Sequence, residues 1–469
     1  MTQRASWPAW ARVTDIVDLL RLSGPIAISR MSWMLMGLTD AIVLGQVKGQ
    51  EHELAFVLNA WLPIGIALGL GMGLLLGVQV LTSEMLGRGE TDQSGRIFRR
   101  GFWMSVVLGF VLMGVIYFGS ESLFHFLFVV INPNAGMSAT MSASVFAAET
   151  ALVSRIIALG LVAFMISTAC GFYLEALRRP LLVTYVMYFG VAVNLVLDLA
   201  FVLGWWGMPQ LGAEGVAWAT TGSRWALTIV MLGLVLWLTP ALAPADPAPA
   251  DEAKRQLAVG TGTAISNVAE WGGFNLTYTI AAFVSVAANA IYGYTVQIMG
   301  LCFMAFLGIG TATSVRVAEH FGRGDMKGVR EASRLAVAAT FAVGALTALI
   351  IFVFKDLIAL GLVNAEASVD GVLLAPAIAA LLLYAAVATT FDGLQATCAM
   401  ALRAQEIIWV PTLIHIASFF VLMIPAGYFF GIVLSRGAQG MMEAATLALL
   451  IAGFAQWALL ERKTARHKV

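Results

Sequence analysis

The sequence predicts an all-α polytopic membrane protein, with about twelve transmembrane helices in two pseudo-symmetric six-helix bundles. Three observations predict it. First, the 469-residue chain is 60% hydrophobic and only 12% charged, where a soluble protein carries about 25% charged residues. Its mean hydropathy is +0.87, and a soluble globule so apolar could not cover its own surface. Second, the apolar residues gather in about twelve runs, each near the ~20 residues a bilayer helix needs. Their approximate centres are Leu35, Leu68, Gly109, Val162, Ala192, Ile229, Tyr278, Cys302, Val343, Leu382, Phe420 and Leu450. The runs are continuous rather than alternating, which argues against membrane strands. Third, the two halves of the chain repeat one another.

Each segment has its own justification. At the amino end, Arg12, Asp15, Asp18 and Arg21 interrupt any short apolar core. The segment therefore reads as a surface helix leading into the first span, not as a cleaved signal. The clearest break is "TPALAPADPAPADEAKRQ", Thr239 to Gln256, whose four prolines and mixed charge cannot continue a membrane helix. It divides the chain into an N-lobe (1–238, helices 1–6), a cytoplasmic linker (239–256) and a C-lobe with a basic tail (257–469, helices 7–12). "LGRGETDQSGR" (Leu86 to Arg96) after the second span pairs with "FGRGDMKGVR" (Phe321 to Arg330) after the eighth, at an offset of 322 − 87 = 235. "EALRR" (Glu175 to Arg179) after the fourth pairs with "MALRA" (Met400 to Ala404) after the tenth, at 401 − 176 = 225. An even number of spans per half gives a parallel repeat about an axis along the membrane normal, an architecture that holds its working site near mid-membrane.

Lysine and arginine placement sets the expected orientation. With the amino end in the cytoplasm, 21 of the 27 basic residues fall on the cytoplasmic side and only Lys48, Lys355 and Arg436 on the other. Arg30, Arg155 and Arg224 lie within spans or at their ends and complete the count. Both termini are thus expected in the cytoplasm. Zero net charge gives no reason to expect nucleic acid. Cys170, Cys302 and Cys398 all fall in apolar spans, a pattern of neither a disulfide framework nor a metal site. The chain has no G-x-x-x-x-G-K-[ST], HExxH or GxSxG motif, which argues against an ATP-driven pump and a membrane hydrolase.

Function is expected from four acidic residues inside spans: Asp40, Asp198, Glu270 and Asp392. Left ionised and unpaired, they would oppose insertion by on the order of 10 kcal/mol. A wet cavity, a bound cation or a held proton relieves that cost. Asn194 and Asp198, four apart, share a helix face. With Asp40 they form an oxygen cage suited to Na⁺, or a pair of carboxyl groups suited to H⁺; packing against another helix is the alternative. In the second half, Asn267 and Glu270 share a face, as do Asp392 and Gln395. Trp271 and Phe274 beside Glu270 would suit an organic cation held by charge and cation–π attraction, against a reading as helix–helix polar contacts. Arg224 is expected to pair with a carboxylate, and His415 to be a satisfied packing histidine.

The ordered motifs resemble the multidrug and toxic compound extrusion (MATE) transporters, in particular the NorM-like branch, from about Leu22 to Leu459. "MGLTDAIVLGQV" is similar to the family's first-helix motif with its aspartate at Asp40. "YLEALRRP" resembles its loop after the fourth helix. "NLVLDLAFVLG" followed by "LGAEGVAWAT" resembles its fifth-to-sixth-helix block and places the family's asparagine and aspartate at Asn194 and Asp198. "AEWGGF" matches the seventh-helix acidic position at Glu270, and "FDGLQATCAMALR" the tenth-helix aspartate at Asp392. Two positions depart from the pattern: Ala404 where glycine is common, and Ala388 where an aromatic is common.

The resemblance implies a monomeric secondary exporter that exchanges cytoplasmic organic cations for external Na⁺ or H⁺ by alternating access, with no cofactor beyond the coupling ion. Possible Na⁺ ligands would be Asp40, Asn194 and Asp198, with substrate or ion bound in the C-lobe by Asn267, Glu270, Asp392 and Gln395. Its partners would be drugs, the coupling cation and the lipid bilayer. The alternatives are a lipid-linked glycan flippase of related architecture, which should have a basic cavity, and a membrane-embedded enzyme, which needs a catalytic cluster that the sequence does not display.

Overall fold

The computed structural model describes residues 13–44, 53–131, 142–369 and 371–465. Arg4, Arg12, Lys48, Arg466 and Lys468, which enter the count of basic residues, lie outside them, as does the end of the first-helix motif. The described chain is almost entirely helical: α1 (Val13–Leu44), α2 (Glu53–Arg88), α3 (Ser94–His125), α4 (Ala143–Ala158), α5 (Leu161–Ala176), α6 (Pro180–Phe201), α7 (Gly212–Leu238), α8 (Glu252–Val284), α9 (Val286–Gly322), α10 (Met326–Leu362), α11 (Leu374–Arg403), α12 (Trp409–Ile416), α13 (Ile424–Tyr428) and α14 (Gly437–Ala465). A two-residue antiparallel hairpin, Ser368↔Leu373 and Val369↔Val372, links α10 to α11.

Ten of the described helical stretches are long and apolar enough to cross a membrane, and the α4–α5 pair makes an eleventh. That pair bends by 41°. At the bend Leu159 N–H donates to Ile156 O and Gly160 N–H to Ile157 O, tightening the turn to i→i+3 bonds. A Cβ on Gly160 would come within 3.1 Å of the Arg224 side chain, so the bend is also a close packing point. The remaining expected span is α8, whose 33 residues reach about 50 Å; its Gly, Thr, Ser and Asn content lowers its hydropathy. The stretch Trp409–Val433 passes through two π-helical segments, Ala417–Met423 and Phe429–Val433. They flank Pro425, which has no N–H to give to the helical ladder. All twelve expected span centres fall on helical residues.

The chain divides into two compact units. One comprises Met31–Thr82 and Thr91–Ala250; the other comprises residues up to Arg30, Ser83–Glu90 and Asp251 onward. The first therefore holds the second half of α1, most of α2, and α3 to α7. Its linker end is tied down: Arg99 Nη1 donates to Ala241 O at 2.9 Å and Ala243 O at 3.0 Å. Large apolar side chains such as Phe118 (80% exposed) and Trp237 (82%) point outward, as a lipid-facing surface requires.

In the other unit, Tyr292, Ile378, Leu382, Phe419 and Met441 belong to a large buried core. A smaller core joins Leu19, Leu22 and Ile26 of α1 to Ala312 and Val315 of α9. Arg316, counted from sequence as a loop residue, is buried here. It donates to Asp15 O at 3.2 Å and pairs with Asp15 and Asp18, each at 3.3 Å.

The repeat is visible in the backbone of this unit. Gly89 and Gly324 both take positive φ, +78° and +71°, at the ends of α2 and α9. Glu90 N–H bonds Met85 O at 3.0 Å and Asp325 N–H bonds His320 O at 2.9 Å, the same cap at an offset of 325 − 90 = 235. Each helix also carries the same i,i+4 ion pair, Glu84–Arg88 and Glu319–Arg323. The two helix ends cross. A Cβ on Gly87 would strike the Glu319 carbonyl, and a Cβ on Gly322 would strike the Glu84 carbonyl. The second repeated loop matches differently. Arg178 (φ 58°) and Glu406 (φ 63°) hold the left-handed position after α5 and α11, at 406 − 178 = 228, three residues from the 225 read off the Ala-Leu-Arg letters. The backbone cap sets that register, not the letters.

Candidate functional site

Two acidic groups form, one in each unit. In the first, Asp40 comes from α1, Asn194 and Asp198 from α6, and Thr220 and Arg224 from α7. Four-residue spacing on α6 puts Asn194 and Asp198 on one inward face, and both are fully buried; Asp40 is 4% exposed. Thr220 Oγ1 donates to Asp40 Oδ2 at 3.4 Å. Thr39 Oγ1 lies 2.7 Å from Met36 O and 3.4 Å from Asn194 Oδ1. Asp40 lies beside both Asn194 and Asp198. Yet Asp40 Oδ1 and both Asp198 carboxyl oxygens, all buried, have no donor among the described residues. Two carboxyl groups that meet as acceptor against acceptor need a proton or a cation between them, because a buried anion without a partner is costly.

Arg224, whose partner the sequence left open, is 7% exposed. Its guanidinium carbon stacks 5.1 Å from the Trp61 ring centre and 5.3 Å from that of Phe164, and the carboxyl group it acts on is Asp40. Its Nη1 has no hydrogen-bond partner among the described residues. The guanidinium thus biases the acidic pair electrostatically and does not neutralise it through a formed bidentate bridge.

The second group joins α8, α11 and α12. Gln395 is fully buried, and its Nε2 donates to Glu270 Oε2 at 3.1 Å and to Asp392 Oδ1 at 3.0 Å. Its Oε1 meets His415 Nε2. Arg403, the last residue of α11, is 3% exposed and donates from Nη2 to Ser266 Oγ at 2.6 Å. Asn267 sits half-buried one turn before Glu270. Trp271 is 38% exposed, and Phe274 packs 6.1 Å from the Phe419 ring.

The structure brings Asp40, Asn194 and Asp198 together in one unit, and Glu270, Asp392 and Gln395 in the other. His415, expected as a satisfied packing histidine, is buried and hydrogen-bonds Gln395 of the second group, and Arg403 is buried at the end of α11. Thr220 was missed, since a threonine in an apolar helix carries no distinguishing signal. Among the described residues, no three His, Cys, Asp or Glu side chains gather to hold a metal ion. The first group can offer a cation two carboxyl groups, the Asn194 amide oxygen and the Thr220 hydroxyl.

Carboxyl groups buried inside polytopic helices mark a functional site, and the family match that follows makes the protein a membrane transporter rather than an enzyme. The chain belongs to the MatE family, whose model matches residues 25–200 and 263–429. It is 33% identical over 453 residues to a Caulobacter vibrioides protein named "Probable multidrug resistance protein NorM", covering 94% of this chain and 90% of that one. It is 24% identical over 440 residues to "Multidrug resistance protein PmpM" of Pseudomonas aeruginosa, covering 89% and 84%. A solved structure titled "Outward-facing conformation of a multidrug resistance MATE family transporter of the MOP superfamily" shares the fold with a TM-score of 0.84 at 17% identity, over 97% of both chains.

Proposed function

We propose that the protein exports organic cations from the cytoplasm in exchange for external Na⁺ or H⁺ by alternating access, as a monomer in a bacterial inner membrane with both termini cytoplasmic. In this reading residues 1–238 and 257–469 are the working lobes and 239–256 the cytoplasmic linker. The coupling ion is cargo and binds at Asp40, Asn194 and Asp198. The organic cation is held by Glu270 and Asp392, with Gln395 between them and Asn267 and Trp271 alongside. The observation that carries the reading is the donorless meeting of Asp40 with Asp198. Loading an ion there changes the charge of the site, and that change biases the equilibrium between conformations. Antiport follows when ion and drug favour opposite states.

The electrical force bounds the scheme. One charge crossing 100 mV yields about 2.3 kcal/mol, roughly a fifty-fold gradient. Exchange of one Na⁺ for one monovalent drug cation moves no net charge, so the chemical gradient of the ion alone drives it. The test is ethidium efflux from proteoliposomes with Na⁺ and pH gradients imposed separately. Export that ignores both gradients would refute the proposal. The lipid-linked glycan alternative is less favoured, since its anionic substrate would face Glu270 and Asp392.

A further inference from the structure

The hydrogen bonds around Gln395 fix which way its amide points. Two carboxyl groups lie at its Nε2 end, at 3.1 Å and 3.0 Å. Turned over, the amide would set its own oxygen against both of them, three acceptors with no donor. With Nε2 on the carboxyl groups, Oε1 is left facing His415 Nε2. That ring nitrogen must then carry the proton and donate, which leaves Nδ1 bare; Nδ1 is buried and has no partner among the described residues. The histidine is 3% exposed, and its ring stands 5.8 Å from that of Phe419.

The charged groups around His415 sit on known elements. Glu270 is on α8, and Asp392 and Arg403 are on α11, Arg403 acting on the ring through space. The acidic residues of α14 are engaged elsewhere, Glu443 with Arg436 and Glu461 with Arg334.

We infer that His415 is a positioning residue for organic-cation binding and that it acts through Gln395. The inference rests on the reading of Glu270 and Asp392 as the organic-cation site. With His415 donating, the Gln395 amide lies between the two carboxyl groups and occupies the place of the incoming positive charge. A cation that enters takes both carboxyl groups as its counter-charge, and the amide loses its acceptors. Rotation by half a turn about its terminal bond then gives Oε1 to the cation and Nε2 to the histidine. His415 must accept at Nε2, so its proton leaves Nε2 and the ring takes one at Nδ1, neutral throughout by exchange with water. Only a side chain able both to donate and to accept serves the two states.

Ethidium-transport kinetics in proteoliposomes test this with His415→Leu and His415→Gln. Leucine fills the apolar space beside Phe419 but can neither donate nor accept; glutamine does both. His415→Leu is expected to raise KM for ethidium about tenfold, which corresponds to about 1.4 kcal/mol, with kcat within about twofold. His415→Gln is expected to restore KM. A purely structural histidine predicts instead that the two variants lose activity together, or that leucine is tolerated better, and either result overturns the inference. Gln395→Leu combined with His415→Leu should be no worse than Gln395→Leu alone; additive losses also overturn it. If His415→Leu does not fold, ¹⁵N-histidine spectra of protein with its other four histidines replaced serve instead. Saturating ethidium should move the proton from Nε2 to Nδ1, and an unchanged spectrum contradicts the inference. Failure of the underlying site reading looks different: Glu270→Gln and Asp392→Asn would then both leave KM unaltered.

Discussion

Gly87 and Glu319 meet so closely that no side chain fits between them, and Gly322 stands in the same relation to Glu84. The four residues occupy equivalent places in the two halves, 235 apart, so one repeated motif packs against its own copy. The obstacle on each side is a backbone carbonyl, which cannot rotate away. Gly87→Val or Gly322→Val should therefore force the ends of α2 and α9 apart and cost about 1–3 kcal/mol or more. Gly89→Ala tests a different term, since a positive φ alone costs about 1 kcal/mol. Thermal unfolding of the purified protein is expected to rank both crossing variants below Gly89→Ala.

Asp325 caps α10 by accepting from Gly328 N–H at 2.9 Å and pairs with His320 Nδ1 at 2.9 Å. The bond from Gly328, then His320 and Arg323, hold its carboxyl group below the usual carboxylate range. A group with a lowered folded pKa contributes stability that is full above its unfolded value, near 4, and is lost as pH falls through the folded one. Loss of the cap in Asp325→Ala should cost about 1 kcal/mol at pH 7. The gap to the parent should narrow below about pH 4, and Asp325→Asn should keep most of the cap. A gap that widens in acid would contradict this sign.

Glu406 combines a positive φ with an ion pair to Arg255, which also pairs with Glu84 at 2.7 Å. Glu406→Ala loses the pair and keeps the strained backbone. Glu406→Gly loses the pair and removes the strain, so it should be more stable than Glu406→Ala by about 1 kcal/mol, read from the same unfolding midpoints. Equal midpoints would mean that the left-handed turn carries no penalty there.

How far the sequence reached follows from range. Long apolar runs report on local helices, which is why all twelve span centres lie on helical residues. Charge within apolar runs pointed to Asp40 and Asp198 for the same local reason. The α4–α5 bend was not legible, because nothing in the local sequence marks it and the close contact at Gly160 is with Arg224, 64 residues further on. The partner of His415 was not legible, because Gln395 lies on another helix and one histidine in an apolar stretch has no period to betray it. The burial of Arg316 was not legible, because its partners Asp15 and Asp18 lie about three hundred positions away.

The first acidic group is the part of the molecule on which the proposed exchange depends. The most direct test is Asp40→Asn in proteoliposomes under an imposed Na⁺ or pH gradient, with ethidium as the exported cation. The variant should insert and unfold like the parent while gradient-driven efflux disappears; undiminished efflux from Asp40→Asn would contradict the account.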